Sequence, residues 1–122
     1  MFSKELLDHF EHPRNAGELT EADVRIEVSN PVCGDVLQLA AIVEGQTIRE
    51  VRFLCRGCTA SIACASLLTE TIRGRELEEL GEVSAESLAA ALGGLEPATF
   101  HAAQLARDGM RALMKKAVSR DS

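Results

Sequence analysis

The sequence predicts an α+β domain in which a three-stranded antiparallel sheet packs against a layer of about four to five helices. Two observations lead to this fold class. Three strand-like runs follow one another between residues 24 and 55 and are separated by short turns. One helix-like segment precedes these runs and the others follow them, so helices and strands are expected to form separate layers.

Composition indicates a single soluble domain, residues 1–122, with an aliphatic core. The chain is 46% apolar and 26% charged, with four Phe and no Trp or Tyr, and its length is sufficient for a hydrophobic core. The formal net charge of −6 argues against nonspecific nucleic-acid binding. No apolar run is long enough to cross a membrane and no signal peptide is evident. We therefore expect a cytoplasmic protein whose cysteines are reduced.

The N-terminal segment predicts a short helix over residues 4–11. Pro13 ends this helix because the residue before a proline is disfavoured in the helical conformation, and residues 14–17 then form a turn. His9 and His12 flank the end of the helix, where we expect them to be solvated or to act as capping groups.

Strands follow this helix. Residues 24–28 alternate apolar and polar side chains, which is the pattern of a half-buried strand. Residues 36–43 are more uniformly apolar, and a short turn leads into a third strand over residues 48–55. Alternation along this third strand places Cys55 on the same core-facing side as Phe53.

The rest of the chain predicts helices. Residues 58–73 form a helix whose first half has almost only small side chains, so it can lie close to the sheet and be largely buried. Gly74 is suited to end it, because glycine readily adopts the left-handed conformation found there. Residues 77–83 predict a short amphipathic segment, residues 84–92 a further helix and residues 99–118 the last helix.

Metal-ligating side chains occur at the ends of these elements. Cys33 and Asp35 lie in the turn between the first two strands, Cys58 begins the small-residue helix, and His101 lies in the first turn of the last helix. Cys33, Asp35, Cys58 and His101 would supply two thiolates, a carboxylate and an imidazole. That set suffices for tetrahedral zinc or for the terminal ligands of a two-iron cluster. Spacing alone does not show that the four converge.

Two other cysteines invite different interpretations. Cys55 and Cys58 form a Cys-x-x-Cys motif between a strand and a helix, which is the arrangement of thiol–disulfide enzymes. An antiparallel meander precedes the motif rather than a βαβ unit, so we favour Cys55 as a buried small hydrophobic side chain. Cys64 lies six residues beyond Cys58, about 9 Å along the helix axis, and we expect a packed thiol there.

Taken together, these motifs resemble the iron–sulfur cluster assembly scaffold family of the IscU type, equivalent to the N-terminal domain of NifU. Residues 2–17 resemble the N-terminal helix and the Asp-His-Tyr-x-x-Pro-Arg-Asn-x-Gly signature of that family. Residues 32–35 resemble its first ligand loop, and residues 53–58 with the following small-residue helix resemble its second. Residues 100–108 resemble the segment that holds its last ligands.

The resemblance implies a non-catalytic scaffold. In that family a cysteine desulfurase transfers persulfide sulfur to the scaffold, iron joins, and a transient [2Fe–2S] cluster passes to apo iron–sulfur proteins. Three cysteines, an aspartate and a histidine line the family's site. Cys33, Asp35, Cys58 and His101 match four of these positions.

This chain departs from the family pattern at two neighbouring places. Ala102 stands where the family has its third cysteine, the principal receiver of persulfide sulfur, and a methyl group cannot accept sulfur. Residues 95–99 read Leu-Glu-Pro-Ala-Thr instead of the chaperone-recognition motif Leu-Pro-Pro-Val-Lys. We therefore expect a scaffold or carrier of a labile cluster or iron that accepts sulfur poorly and whose chaperone contact is in doubt. The alternative is a zinc-binding regulatory or interaction protein of the assembly machinery that does not build clusters.

Overall fold

The computed structural model describes residues 2–32 and 34–120 and confirms the α+β fold class. Met1, Cys33, Asp121 and Ser122 lie outside the described residues. The elements, in chain order, are α1 (Lys4–Glu11), β1 (Val24–Ser29), β2 (Val36–Glu44), β3 (Thr47–Arg56), α2 (Thr59–Ile72), a 3₁₀ helix (Leu77–Glu82), α3 (Ala85–Ala91), a second 3₁₀ helix (Pro97–Thr99) and α4 (His101–Ser119). No helix in the described ranges is long and apolar enough to cross a membrane.

The strands form one antiparallel sheet in the order β1-β2-β3. Val24 of β1 pairs with Ala41 of β2, and Leu39 of β2 pairs with Phe53 of β3. Because side chains alternate along a strand, this register places Leu39 and Phe53 together on the core-facing side, and both are buried.

The segment at residues 14–17, which the sequence predicts to be only a turn, also extends the sheet. Ala16 forms a parallel bridge with Phe53 on the outer edge of β3. The Gly17 N–H donates to the Phe53 carbonyl at 2.9 Å, and the Phe53 N–H donates to the Asn15 carbonyl at 2.9 Å. Asn15 has a φ of 62°, a conformation that asparagine tolerates better than most residues. The bridge covers part of an edge that would otherwise expose unpaired backbone groups.

Helices α2 and α4 lie very close to their neighbours because small side chains face the interfaces. The first half of α2 buries Ala60, Ala63 and Ala65, as its composition predicts. On α4, a Cβ added to Gly109 would lie 2.9 Å from Leu37 Cδ2 of the sheet. Alanine or glycine at these positions lets the helices and the sheet pack at close range.

The prediction that His9 is solvated is wrong, whereas His12 does act as a cap. His9 is 8% exposed, and its Nδ1 lies 2.8 Å from the Ser66 hydroxyl of α2. The reason is that α1 packs against α2, where Ser66 offers a buried polar partner that the local sequence around His9 does not reveal. His12 is the C-cap residue of α1, and its backbone N–H donates to the Asp8 carbonyl at 2.9 Å.

Candidate metal centre

Three of the four predicted ligands converge. The ligand atoms of Asp35, Cys58 and His101 all lie within 4.8 Å of one another. They come from three different parts of the fold: the loop before β2, the start of α2 and the start of α4. Cys33, the fourth predicted ligand, lies outside the described residues, so its place in the site remains a prediction.

Asp35 is positioned by a compact loop between β1 and β2. The Asn30 N–H donates to the Asp35 carbonyl at 2.9 Å, and the Gly34 N–H donates to the Asn30 carbonyl at 2.7 Å. Gly34 has a φ of 78°, a left-handed conformation that glycine adopts without steric cost. The loop thereby brings Asp35 to the first turn of α2, where its side chain is only 7% exposed.

Gly57 makes room for this carboxylate. A Cβ added at residue 57 would lie 2.8 Å from the Asp35 Cγ and 2.9 Å from its Oδ2. Real Cβ atoms do not approach other atoms so closely, so any side chain at residue 57 would push the Asp35 carboxylate aside. The Cys-Arg-Gly-Cys segment therefore needs its glycine for close packing, and not only to end the strand.

Cys58 and His101 both lie at helix starts. Cys58 is the N-cap residue of α2, with an extended backbone (φ −79°, ψ 172°) and an exposed side chain. The unpaired N–H groups and the positive end of the helix dipole favour a negatively charged thiolate at such a position. His101 is the first residue of α4 and is half-buried, so its imidazole lies between the core and the surface.

Ser61 is a site residue that the sequence reasoning missed. Its side chain is 2% exposed, its hydroxyl donates to Asp35 Oδ2, and its Oγ lies 3.3 Å from Cys58 Sγ. Helical spacing offered a signal, because residues three apart on a helix lie on the same side. The contact with Asp35 had no such signal, because it depends on how the loop folds against α2.

The remaining described cysteines lie in apolar surroundings. Cys64 is fully buried, as predicted, and burial raises the pKa of its thiol to about 12. Cys55 is half-buried against the core, and its burial, together with the negative charge of Asp35, raises its pKa to about 11. Since the thiolate is the reactive form, neither group is suited to nucleophilic chemistry near neutral pH.

Ala102, the residue directly after His101, is 1% exposed. It belongs to the first turn of α4, whose first residue, His101, reaches the site. A cavity of about 430 Å³ lies elsewhere, and its lining includes Arg25, Gln38 and Arg52 but none of the three converging ligands. The candidate metal centre is therefore distinct from this cavity.

A three-stranded antiparallel sheet is backed by helices, and a carboxylate, a thiol and an imidazole converge at one end, so the chain is a small α+β domain with a candidate metal-binding site. Comparison with known families agrees with this class. The family described as "NifU-like N terminal domain" matches residues 1–121, and the chain belongs to this family.

Two relatives of this chain are named as iron–sulfur cluster assembly scaffold proteins. The chain is similar to "Iron-sulfur cluster assembly scaffold protein IscU 1" of Archaeoglobus fulgidus, with 39% identity over 111 residues, which cover 91% of this chain and 72% of the relative. It is also similar to "Iron-sulfur cluster assembly scaffold protein IscU" of Haemophilus influenzae, with 37% identity over 115 residues, 91% of this chain and 90% of the relative.

A solved structure supports the fold. It is a candidate iron–sulfur cluster assembly scaffold for the SUF system from Fervidobacterium islandicum, with a TM-score of 0.77 and 21% identity. The alignment covers 93% of this chain and 96% of the other. At this identity the likeness is evidence for the architecture and not for a shared activity.

Proposed function

We propose that this protein is an iron–sulfur cluster assembly scaffold or carrier that holds a labile [2Fe–2S] cluster, or an iron ion, as its cargo. Cys33, Asp35, Cys58 and His101 are the proposed ligands. The observation that carries the proposal is the convergence of Asp35, Cys58 and His101 within 4.8 Å from three separate elements. The scaffold role named for the relatives supports the same function.

The chemistry of this ligand set suits temporary binding. Thiolates and imidazole are preferred ligands of iron–sulfur centres, whereas a carboxylate is a harder ligand than thiolate. A carboxylate among thiolates is the ligand that we expect to exchange first. Cys58 is exposed, so a partner protein can reach the cargo. On this proposal the chain holds and releases its cargo in the cytoplasm and supplies no catalytic residue of its own.

The proposed partners follow from the cargo. A cysteine desulfurase would supply sulfur, and apo iron–sulfur proteins would receive the cluster. We propose that sulfur acceptance is impaired, because residue 102 is an alanine with no thiol. We propose that the chaperone contact is also weakened, because residues 95–99 retain only one of the two adjacent prolines of the family's motif.

Anaerobic reconstitution with iron tests both parts of this proposal, with visible absorption as the readout. With inorganic sulfide, the wild-type chain is expected to form the cluster chromophore. With desulfurase and cysteine as the sulfur source, wild type is expected to form it more slowly than Ala102→Cys. Ala103→Cys is the matched control, because it adds a thiol one residue further on, at another buried alanine.

Each sulfur source tests a separate claim. Failure of wild type to form any cluster from inorganic sulfide would refute the scaffold function. Equal rates for wild type and Ala102→Cys with the desulfurase would refute only impaired sulfur acceptance. A gain in Ala103→Cys equal to that in Ala102→Cys would show that any added thiol suffices.

A second candidate is a zinc-binding regulatory or interaction protein of the same machinery. The proposed ligands also suit zinc, since two thiolates, an imidazole and a carboxylate complete a tetrahedral zinc site. Alanine at residue 102 favours this candidate too, because cluster building would use a thiol there. Metal analysis of the purified chain separates the two functions. Stoichiometric zinc, with no cluster obtainable from iron and sulfide, would support the second candidate and contradict the first.

A further inference from the structure

We infer that Ser61 is a positioning residue of this site, whose hydroxyl orients the Asp35 carboxylate relative to Cys58 and thereby raises the affinity of the site for metal. The inference rests on the proposed function, because it concerns the same ligands. It adds a residue outside the proposed ligand set, and it states how that residue acts.

Burial makes the hydroxyl important. Ser61 is 2% exposed and Asp35 is 7% exposed, so water has little access to either side chain. A buried carboxylate is costly unless it accepts hydrogen bonds. Ser61 donates such a bond to Oδ2 of Asp35, and this bond holds the carboxylate in one orientation.

The surroundings hold the carboxylate against this hydroxyl. A Cβ at residue 57 would lie 2.8 Å from Asp35 Cγ and 3.1 Å from the Cβ of Ser61. The Asp35 carboxylate and Ser61 therefore both pack against the Cα of Gly57. The absence of a side chain at residue 57 thus lets the carboxylate and the hydroxyl lie side by side.

Ser61 also connects two ligands that the chain supplies from different elements. Its Oγ lies 3.3 Å from Cys58 Sγ; Cys58 is the N-cap residue of α2 and Ser61 lies in the first turn. Asp35 reaches them from the loop before β2. A hydroxyl has a single hydrogen, and Asp35 receives it, so at the Cys58 contact the hydroxyl oxygen is the acceptor.

Titration of the metal-free chain with Co²⁺ and Zn²⁺ tests the inference. Loss of a residue that orients a ligand typically weakens metal binding about 10- to 100-fold, and we expect this loss for Ser61→Ala. The visible absorption of bound Co²⁺ is expected to change as well, because it reports the ligand geometry. Ser66→Ala is the matched control: Ser66 is buried on the same helix, but it bonds to His9 and to the Arg14 N–H instead.

A double substitution distinguishes positioning from general support of the fold. If Ser61 acts through Asp35, Ser61→Ala weakens Co²⁺ binding in the wild-type background but has no further effect in the Asp35→Ala background. Equal losses in both backgrounds, or no loss in either, would overturn the inference. Failure of the wild-type chain itself to bind Co²⁺ or Zn²⁺ would instead refute the proposed metal centre.

Weaker binding by Ser61→Ala could also result from reduced folding stability, and a second variant separates that cause from loss of the hydroxyl. Ser61→Thr retains the hydroxyl, and we expect it to restore Co²⁺ affinity and the wild-type absorption relative to Ser61→Ala. A threonine variant that folds, by circular dichroism, but binds as weakly as the alanine variant would contradict the role of the hydroxyl.

Discussion

Asp35 and Gly57 are packed so tightly that a single added carbon at residue 57 would lie 2.8 Å from the Asp35 Cγ. The two residues belong to different segments of the chain, the loop before β2 and the connection from β3 to α2. A side chain at residue 57 would therefore displace the Asp35 carboxylate from its place beside Ser61. The geometry of the site therefore depends on a residue that cannot itself bind metal.

Gly57→Ala is predicted to weaken metal binding by displacing Asp35. Moving a ligand away from its required position is expected to lower Co²⁺ affinity by about tenfold or more. Gly81→Ala is the control, because a Cβ at residue 81 meets nothing within 4 Å. Calorimetric titration measures both variants. Unchanged affinity in Gly57→Ala, or an equal loss in Gly81→Ala, would show that this close packing does not position the ligand.

Asp35→Ala is predicted to lengthen the lifetime of a reconstituted cluster in the presence of an apo acceptor. The carboxylate is the hard, exchangeable ligand among thiolates, so its removal slows release even though it also lowers affinity for a free ion. Transfer to an apo ferredoxin, followed by circular dichroism, measures the rate. Asp108→Ala is the control, because Asp108 is an exposed residue paired with Arg107. A shorter lifetime in Asp35→Ala would make Asp35 a structural ligand.

His9 is predicted to make the metal-free fold less stable at acidic pH. Burial, and then the neighbouring Arg14, lower the pKa of His9 from its ordinary value of 6.5. The unfolded chain therefore binds this proton more readily than the folded chain does. The stability contributed by neutral His9 is complete above pH 6.5 and is lost as pH falls through the lowered folded-state pKa.

Chemical denaturation of the metal-free chain between neutral and acidic pH measures this effect. His9→Gln is expected to flatten the pH dependence of the free energy of unfolding relative to wild type. His12→Gln is the control, because His12 is exposed at the helix end. A wild-type pH dependence that persists in His9→Gln would assign the acid sensitivity to other groups.

The described thiols are predicted to differ strongly in reactivity. Cys58 is exposed, whereas Cys64 is fully buried with a pKa of about 12. Pulse alkylation with peptide mapping is expected to modify Cys58 first and to leave Cys64 unmodified until the chain unfolds. Mild oxidation is expected to form no disulfide between Cys55 and Cys58. A reversible Cys55–Cys58 disulfide would revive the thiol–disulfide interpretation.

Local patterns predicted most of the fold. Period-two alternation indicated the first strand, a more uniformly apolar run indicated the second, and the small-residue run predicted the buried first half of α2. The last helix begins at His101 instead of residue 99, because Pro97–Thr99 form a separate 3₁₀ helix. Features that depend on distant contacts could not be predicted in this way. The burial of His9 depends on Ser66, and the sheet edge at Ala16 depends on Phe53.

The same distinction applies to the candidate site: local residue types predicted part of it, and distant contacts determine the rest. The types of Asp35, Cys58 and His101 indicated metal chemistry, but their convergence was visible only through the resemblance to a family. Ser61 and the packing role of Gly57 were not predicted, because a serine in a helix and a glycine after a strand are common features. Their function depends on the loop that brings Asp35 against them.

Anaerobic reconstitution with iron and inorganic sulfide, compared between wild type and Cys58→Ala, tests whether this site holds a cluster. Inorganic sulfide bypasses the question of sulfur acceptance at residue 102. We predict that wild type develops the visible and Mössbauer signatures of a [2Fe–2S] cluster and that Cys58→Ala, folded by circular dichroism, does not. No cluster in wild type, or the same cluster in Cys58→Ala, would show that Cys58 and the residues around it do not hold a cluster.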